Sequence, residues 1–268
     1  MMLPEINSNW LTTAIIAAQK ASEAIAQIYR TDFSVELKKD QSPVTIADKT
    51  SSQIILEHLK ETGIPIISEE EAIPPYHKRK QEDWIWVVDP LDGTREFIRR
   101  NDEFCVCIAL IYRHQPVFGL IADPVKKKTL AGGMQIGAFH FPLNINGLGS
   151  SEYQLKDVRP NTKKIIAHSR SHLSSQTQEI IETIQLHHGV VDYIKKGSAL
   201  KFVDLCLGNA DFYPRMAPTM EWDIAAGDAI YRSIGGEVLD FAKFESLKYN
   251  KEDLYNPYFI AKNTQLKY

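Results

Sequence analysis

The chain has 268 residues, 44% hydrophobic and 24% charged, with a formal net charge of −3; this excludes extensive disorder and leaves material for one large domain or two ordinary ones sharing an interface. Its basic residues fall in short groups, Arg99-Arg100, Lys126-Lys127-Lys128, Lys163-Lys164 and Lys195-Lys196. None makes the long stripe that a nucleic-acid polymer needs, so no such partner is expected.

Leu11, Ile15, Ala18, Ser22, Ile25 and Tyr29 recur at steps of four and three, the seam of an amphipathic helix that Ser8 or Asn9 could cap. A second helix is predicted over 46–62, with Thr45 as its cap and Gly63 ending it. Residues 64–68 read as a strand that stops at Glu69-Glu70-Glu71, and 84–88 as an apolar strand buried on both faces that ends at Asp89. A short helix over 95–100 follows, and then 104–112 and 117–122 flank a polar turn as a hairpin. The first half is therefore α+β. The polar stretch 144–162 marks the expected domain boundary, dividing the chain into 1–155 and 156–268. Beyond it, strands at 163–167, 190–194, 210–213 and 237–241 alternate with helices at 174–186, 198–207 and 221–234, an α/β pattern.

The three cysteines, Cys105, Cys107 and Cys206, have no zinc-type spacing. Cys105 and Cys107 lie in an apolar run and are expected to be buried strand residues, a usage that suits a reducing cytosol. No secretory signal is read at the start, and the longest apolar run, 105–112, is too short to span a bilayer. A soluble, cytoplasmic protein is expected, with no integral membrane association; peripheral contact with an inner membrane is compatible with this reading.

The segment Val88-Asp89-Pro90-Leu91-Asp92-Gly93-Thr94 carries the most chemistry. Pro90 lacks the N–H that a ladder needs and Asp92-Gly93 is a turn dipeptide, so two carboxylates can point into one space. Their repulsion there is costly unless a cation fills it, and the start of the next helix offers free N–H groups suited to a phosphate. Taken singly, the acids have plainer explanations. Asp92 reads as a turn or cap, the Glu69 triplet as a solvated loop, and Asp223 as an acid favouring a helix N-terminus. Thr45-Ile46-Ala47-Asp48 has the spacing of a capping box, with Asp in place of Glu. Gly227, inside a predicted helix, implies close packing.

Trp86 to Phe97 resembles the DPxDGTxxF signature of the inositol-monophosphatase-like phosphatases. Trp222-Asp223-Ile224-Ala225-Ala226-Gly227 resembles their WDxAAG element and Ser68-Glu69-Glu70 their GEE element, with Ser for the commoner Gly. Ser42-Pro43-Val44-Thr45-Ile46-Ala47-Asp48 is similar to the SPVTxAD element of one branch, the 3′(2′),5′-bisphosphate nucleotidases of the bacterial sulfate-assimilation type. Arg95 to Ile98, Arg100 to Phe104, Ser169 to His172, Gly197 to Lys201 and Tyr213 to Arg215 resemble further elements of that branch.

The resemblance implies a layered α-β-α-β-α sandwich of the sugar-phosphatase type, with the first half carrying most metal ligands and the second the nucleotide elements and Asp223. It implies two or three Mg²⁺ ions, with Mn²⁺ as a substitute, held by Glu69, Asp89, the Leu91 carbonyl, Asp92 and Asp223. Asp48 and Thr94 would position and deprotonate the attacking water. Substrate would meet Glu69, Leu91, Asp92, Gly93, Thr94, Ser169, His172, Gly197, Ser198, Lys201, Arg215 and Asp223. The reaction implied removes the 3′-phosphate of adenosine 3′,5′-bisphosphate, with activity on its phosphosulfate analogue and sensitivity to lithium, in a monomer or homodimer. Without the family, the all-oxygen donor set already favours Mg²⁺ or Mn²⁺ over zinc. Two rivals stand beside this: an inositol monophosphatase or sugar bisphosphatase using the same metal site, and a non-catalytic nucleotide sensor.

Overall fold

The computed structural model describes residues 3–38, 40–148, 150–170 and 174–267. Helices α1 (Ser8–Tyr29) and α2 (Ile46–Leu59) pack on each other and on one face of a six-stranded sheet. That sheet has the order β3-β4-β5-β6-β7-β8, from β3 (Ile66–Ser68), β4 (Trp84–Asp92), β5 (Cys105–Tyr112), β6 (Gln115–Asp123), β7 (Lys128–Gly133) and β8 (Gly137–Pro142). Its other face meets α6 (Leu200–Cys206) and α7 (Glu221–Arg232). A five-stranded sheet lies beyond them, in the order β10-β9-β11-β13-β12. Its strands are β9 (Ile165–Ser169), β10 (Asp192–Lys196), β11 (Phe212–Arg215), β12 (Gly236–Asp240) and β13 (Phe259–Asn263). Helix α5 (Ser175–His188) packs against β11 and closes the stack. The result is the expected α-β-α-β-α sandwich.

Among the described residues, three apolar clusters fill the spaces between these layers. Strand period sorts β5 between two of them: Val106, Ile108 and Leu110 face the α1/α2 layer, while Cys105, Cys107, Ala109 and Ile111 face the α6/α7 layer. All eight β5 residues except Tyr112 are buried, which is why this run shows no polar alternation in the sequence. Gly227 of α7 lies against the Phe202 ring of α6; a Cβ there would meet Phe202 Cγ at 2.2 Å.

Several boundaries differ from the sequence-based expectation. Asn7, not Ser8 or Asn9, caps α1 through its side chain, which accepts from Asn9 N at 2.9 Å. Strand β4 does not end at Asp89. It runs through Pro90 to Asp92, with a register shift between the two aspartates, after which Asp92 pairs with Cys105. A bulge accommodates a proline that cannot donate to the ladder. A small hairpin of β1 (Val35–Leu37) and β2 (Pro43–Thr45), a short helix α3 (Tyr76–Arg79), and strands β7, β8 and β13 have no counterpart in the sequence-based reading. Strand β13 inserts antiparallel between β11 and β12, so the second sheet is mixed.

Candidate active site

Strand alternation points Asp89 to the α6/α7 side, as it does Ile85 and Val87, the bulge after it brings Asp92 to the same side, and α7 brings Asp223 from its first turn to meet them. One carboxylate oxygen from each of the three lies within 4.8 Å of the others. Each is aimed by a backbone donor. Leu91 N donates to Asp89 Oδ1 at 3.0 Å, Met220 N to Asp223 Oδ2 at 2.9 Å, and Ala199 N to Asp92 Oδ2. Asp89 is buried at the floor, whereas Asp92 and Asp223 are half-buried along a cavity of about 310 Å³.

Clustering like charges away from water has a visible electrostatic consequence. Burial, then Glu69, Asp92 and Asp223, push the Asp89 carboxyl well above its ordinary range. Burial raises Asp92 to about 6, although Lys201 and the Ala199 N–H pull it down. Burial and Asp92 raise Asp223 to about 8. Three carboxyls drawn together out of water, all oxygen donors, fit a hard divalent cation of the Mg²⁺ class.

Glu69 lines the same cavity, just beyond β3, but its carboxylate is engaged elsewhere. Lys38, next to the β1 strand, donates to Glu69 Oε1 at 2.8 Å and Glu70 Oε1 at 2.6 Å. Burial opposes the Lys38 charge, yet the two glutamates outweigh it and hold its pKa above the usual value. No local signal in the sequence marks Lys38, because its partners lie 31 and 32 residues away.

Asp48 sits at the third position of α2 and serves two structures at once. Its Oδ2 accepts from Thr45 N at 2.7 Å and Thr45 Oγ1 at 2.6 Å, completing a capping box. Its Oδ1 accepts from Thr94 Oγ1 at 2.8 Å. Thr94 opens helix α4 (Thr94–Ile98), whose preceding residue, Gly93, adopts φ +99° and supplies no side-chain cap. A Cβ on Gly93 would stand 2.9 Å from Glu103 O and 3.2 Å from Ser198 Cβ, so the backbone approaches this closely only as glycine. Ser51 Oγ donates to Pro90 O at 2.6 Å and ties α2 to the bulge.

Leu91, Gly93, Thr94, Ser169, Gly197, Ser198, Lys201 and Arg215 also line the cavity. Lys201 is almost fully buried; its Nζ donates to Ser198 O at 2.5 Å and lies 5.0 Å from the centre of the Tyr213 ring. Arg215 donates from Nη2 to Pro218 O at 3.3 Å, while its buried Nε has no partner among the described residues. Gly197 N donates to Glu103 Oε2 at 2.7 Å, and the same carboxylate is gripped by Arg170. His172 lies outside the described residues. Ser42, Pro43 and Tyr213, which the sequence offered only as parts of the resembling elements, line the cavity too, and sequence reasoning missed that the Cys105 and Cys107 thiols face Asp92.

The model of the inositol monophosphatase family matches residues 6–267. The chain is 37% identical over 247 residues to the 3′(2′),5′-bisphosphate nucleotidase CysQ of Salmonella typhimurium, covering 90% of this chain and 95% of that protein. It is 31% identical over 265 residues to the CysQ nucleotidase of Haemophilus influenzae, covering 97% and 95%. Among solved structures it resembles CysQ from Bacteroides thetaiotaomicron, described as a bacterial member of the inositol monophosphatase family, at 42% identity and a TM-score of 0.84, over 96% of this chain and 97% of that one. An inositol monophosphatase from Zymomonas mobilis shares the fold at 22% identity and a TM-score of 0.76, over 98% of this chain and 96% of that one.

Proposed function

The chain belongs to the inositol monophosphatase family, and on that premise we propose that it is a Mg²⁺-dependent 3′(2′),5′-bisphosphate nucleotidase that releases the 3′-phosphate of adenosine 3′,5′-bisphosphate as inorganic phosphate, leaving AMP. The phosphosulfate analogue is a further substrate of the same site. The observation that carries this reading is one cavity lined by Asp89, Asp92, Asp223 and the Asp48-bonded Thr94 hydroxyl.

Asp89, Asp92, Asp223, Glu69 and the Leu91 carbonyl would hold the metal. When bound, Mg²⁺ supplies positive charge against the phosphate oxygens and acidifies water. The side chains supply the proton path. Thr94 Oγ1 gives its own proton to Asp48 Oδ1, which leaves its lone pairs to accept a proton from the attacking water. Thr45 fixes the other Asp48 oxygen, so the carboxylate cannot rotate away. Backbone N–H groups at Gly93 and Thr94 receive the scissile phosphate where helix α4 begins. Ser169, Gly197, Ser198, Lys201 and Arg215, which line the same cavity, provide donors for the rest of the nucleotide; the Arg215 Nε, unpartnered among the described residues, suits a second phosphate.

Phosphate release from adenosine 3′,5′-bisphosphate, its phosphosulfate analogue and inositol monophosphate, each with and without Mg²⁺, tests the reading. Preference for the nucleotide and dependence on Mg²⁺ are expected. Faster turnover of inositol monophosphate would replace the substrate assignment, and tight nucleotide binding without turnover would mark a sensor.

A further inference from the structure

A second group of donors also meets Asp92. Cys105 pairs with Asp92 and Cys107 with Asp89 across the β4–β5 ladder, and both thiols project from the same face of β5. Their Sγ atoms are 3.8 Å apart, and both lie within 4.8 Å of a carboxylate oxygen of Asp92. Both cysteines are free.

The 3.8 Å spacing is far from the S–S bond of a disulfide, about 2.05 Å. It is what a shared tetrahedral ion requires: with Zn–S bonds of about 2.3 Å, two sulfurs on one zinc stand about 3.8 Å apart. The thiols are buried, but Cys105 Sγ is 3.7 Å from Ser198 Oγ, and Ser198 and Asp92 both line the cavity, so an ion has a short path to them.

We propose that Cys105 Sγ, Cys107 Sγ and Asp92 form a binding site for a thiophilic divalent cation of the zinc class, and that filling it inhibits the enzyme by withdrawing Asp92 from the hard-cation cage. The inhibitory part rests on the role given to Asp92 under the proposed function; the binding site itself does not. Thiolates select soft ions and carboxylates alone select Mg²⁺, so the two sites compete through the one shared carboxylate and not through sulfur. Binding releases the two thiol protons to water.

Cobalt(II) is the probe, because a thiolate bound to it gives a near-ultraviolet charge-transfer band. In saturating Mg²⁺, the wild-type chain should develop that band at one equivalent. Cys105→Ser and Cys107→Ser should weaken it, and the Cys105→Ala/Cys107→Ala double variant should abolish it. In parallel, the zinc concentration that halves nucleotide turnover should rise about tenfold or more in the double variant, with turnover in the absence of zinc little changed. Thermal melts establish that each variant is folded; if the double variant is not, the two serine variants decide on the same band. No band in the wild type, or an undiminished band in the folded variants, overturns the site. Unchanged zinc sensitivity in the variants overturns the inhibitory role. The band is read without turnover, so a chain that shows it but is inactive on nucleotide would sink the proposed activity and leave the cation site standing.

Discussion

Thr94 Oγ1 donates to Asp48 Oδ1 at 2.8 Å across 46 positions of chain, while the other oxygen of Asp48 closes a capping box with Thr45. One carboxylate thus anchors the start of α2 and orients the hydroxyl at the start of α4. The two tasks separate by mutation. Thr94→Val keeps the cap and should lower kcat by about 10²–10⁴ with melting temperature nearly unchanged, and Thr94→Ser should restore much of the rate. Asp48→Ala should lower kcat similarly and also cost about 1–3 kcal/mol of stability, because buried donors lose their acceptor. A Thr94→Val enzyme with near-normal kcat would take the pair out of the proton path.

Asp89→Asn should reduce kcat/KM by about 10³-fold or more, a loss of about 4 kcal/mol in transition-state stabilisation, and should weaken Mg²⁺ binding measured by calorimetry. The metal-free variant should melt higher than the metal-free wild type, since the buried member of three clustered carboxylates is gone. Equal Mg²⁺ affinity in wild type and variant would contradict this.

Burial of these carboxyls, with the negative groups around them, sets a pH dependence. Asp92, raised to about 6, and Asp223, raised to about 8, bind protons more tightly folded than unfolded. Their contribution to stability is therefore fully present below the unfolded carboxylate range, near pH ~4, and is lost as pH rises toward about 8. Metal-free protein should melt at progressively lower temperature over that window. Added Mg²⁺ should raise the melting temperature most at its alkaline end, where both carboxylates are ionised without a counter-charge. Melting curves with and without a chelator check this; a metal-free melting temperature that climbs with pH would refute it.

Lys38 competes for Glu69 from outside the cluster. Both partners are partly exposed, so the pair is worth about 0–1 kcal/mol in stability and Lys38→Met should barely move the melting point. Freed of its ammonium partner, Glu69 should bind the cation more readily, and the Mg²⁺ concentration for half-maximal activity should fall a few-fold. A rise in that concentration would show instead that Lys38 assists the loaded site.

Gly227→Ala places a methyl 2.2 Å from Phe202 Cγ and should destabilise the contact between α6 and α7 by about 1–3 kcal/mol, despite the better helix propensity of alanine. A melting temperature equal to that of the wild type would mean that the Phe202 ring moves aside at no cost.

Much of the fold is legible in the residues alone. The seam of α1, the capping box at Thr45 and Asp48 and the buried runs of β4 and β5 are local patterns whose period or spacing states their geometry. Strands β7 and β13 are not legible in this way. The first starts in a lysine triplet and ends in two glycines, and the second is a five-residue strand, FIAKN, whose five residues are all buried, including its lysine and asparagine, which the sheet rather than the sequence hides. Pro90 argues for a strand end, and a bulge allows the strand to continue, because the bulge removes the need for the missing donor.

By itself the order of residues determined which groups could do chemistry: acids at the ends of buried strands, and a threonine opening a short helix beside a glycine turn. Tertiary structure decided which of them share a volume. Ala199 N reaches Asp92 across 107 positions, Lys38 takes Glu69 aside, and Cys105 and Cys107 face the aspartates rather than the opposite core. Such neighbours follow from strand register and the stacking of layers, which the summed burial of many distant side chains selects, and no short stretch of sequence contains that sum.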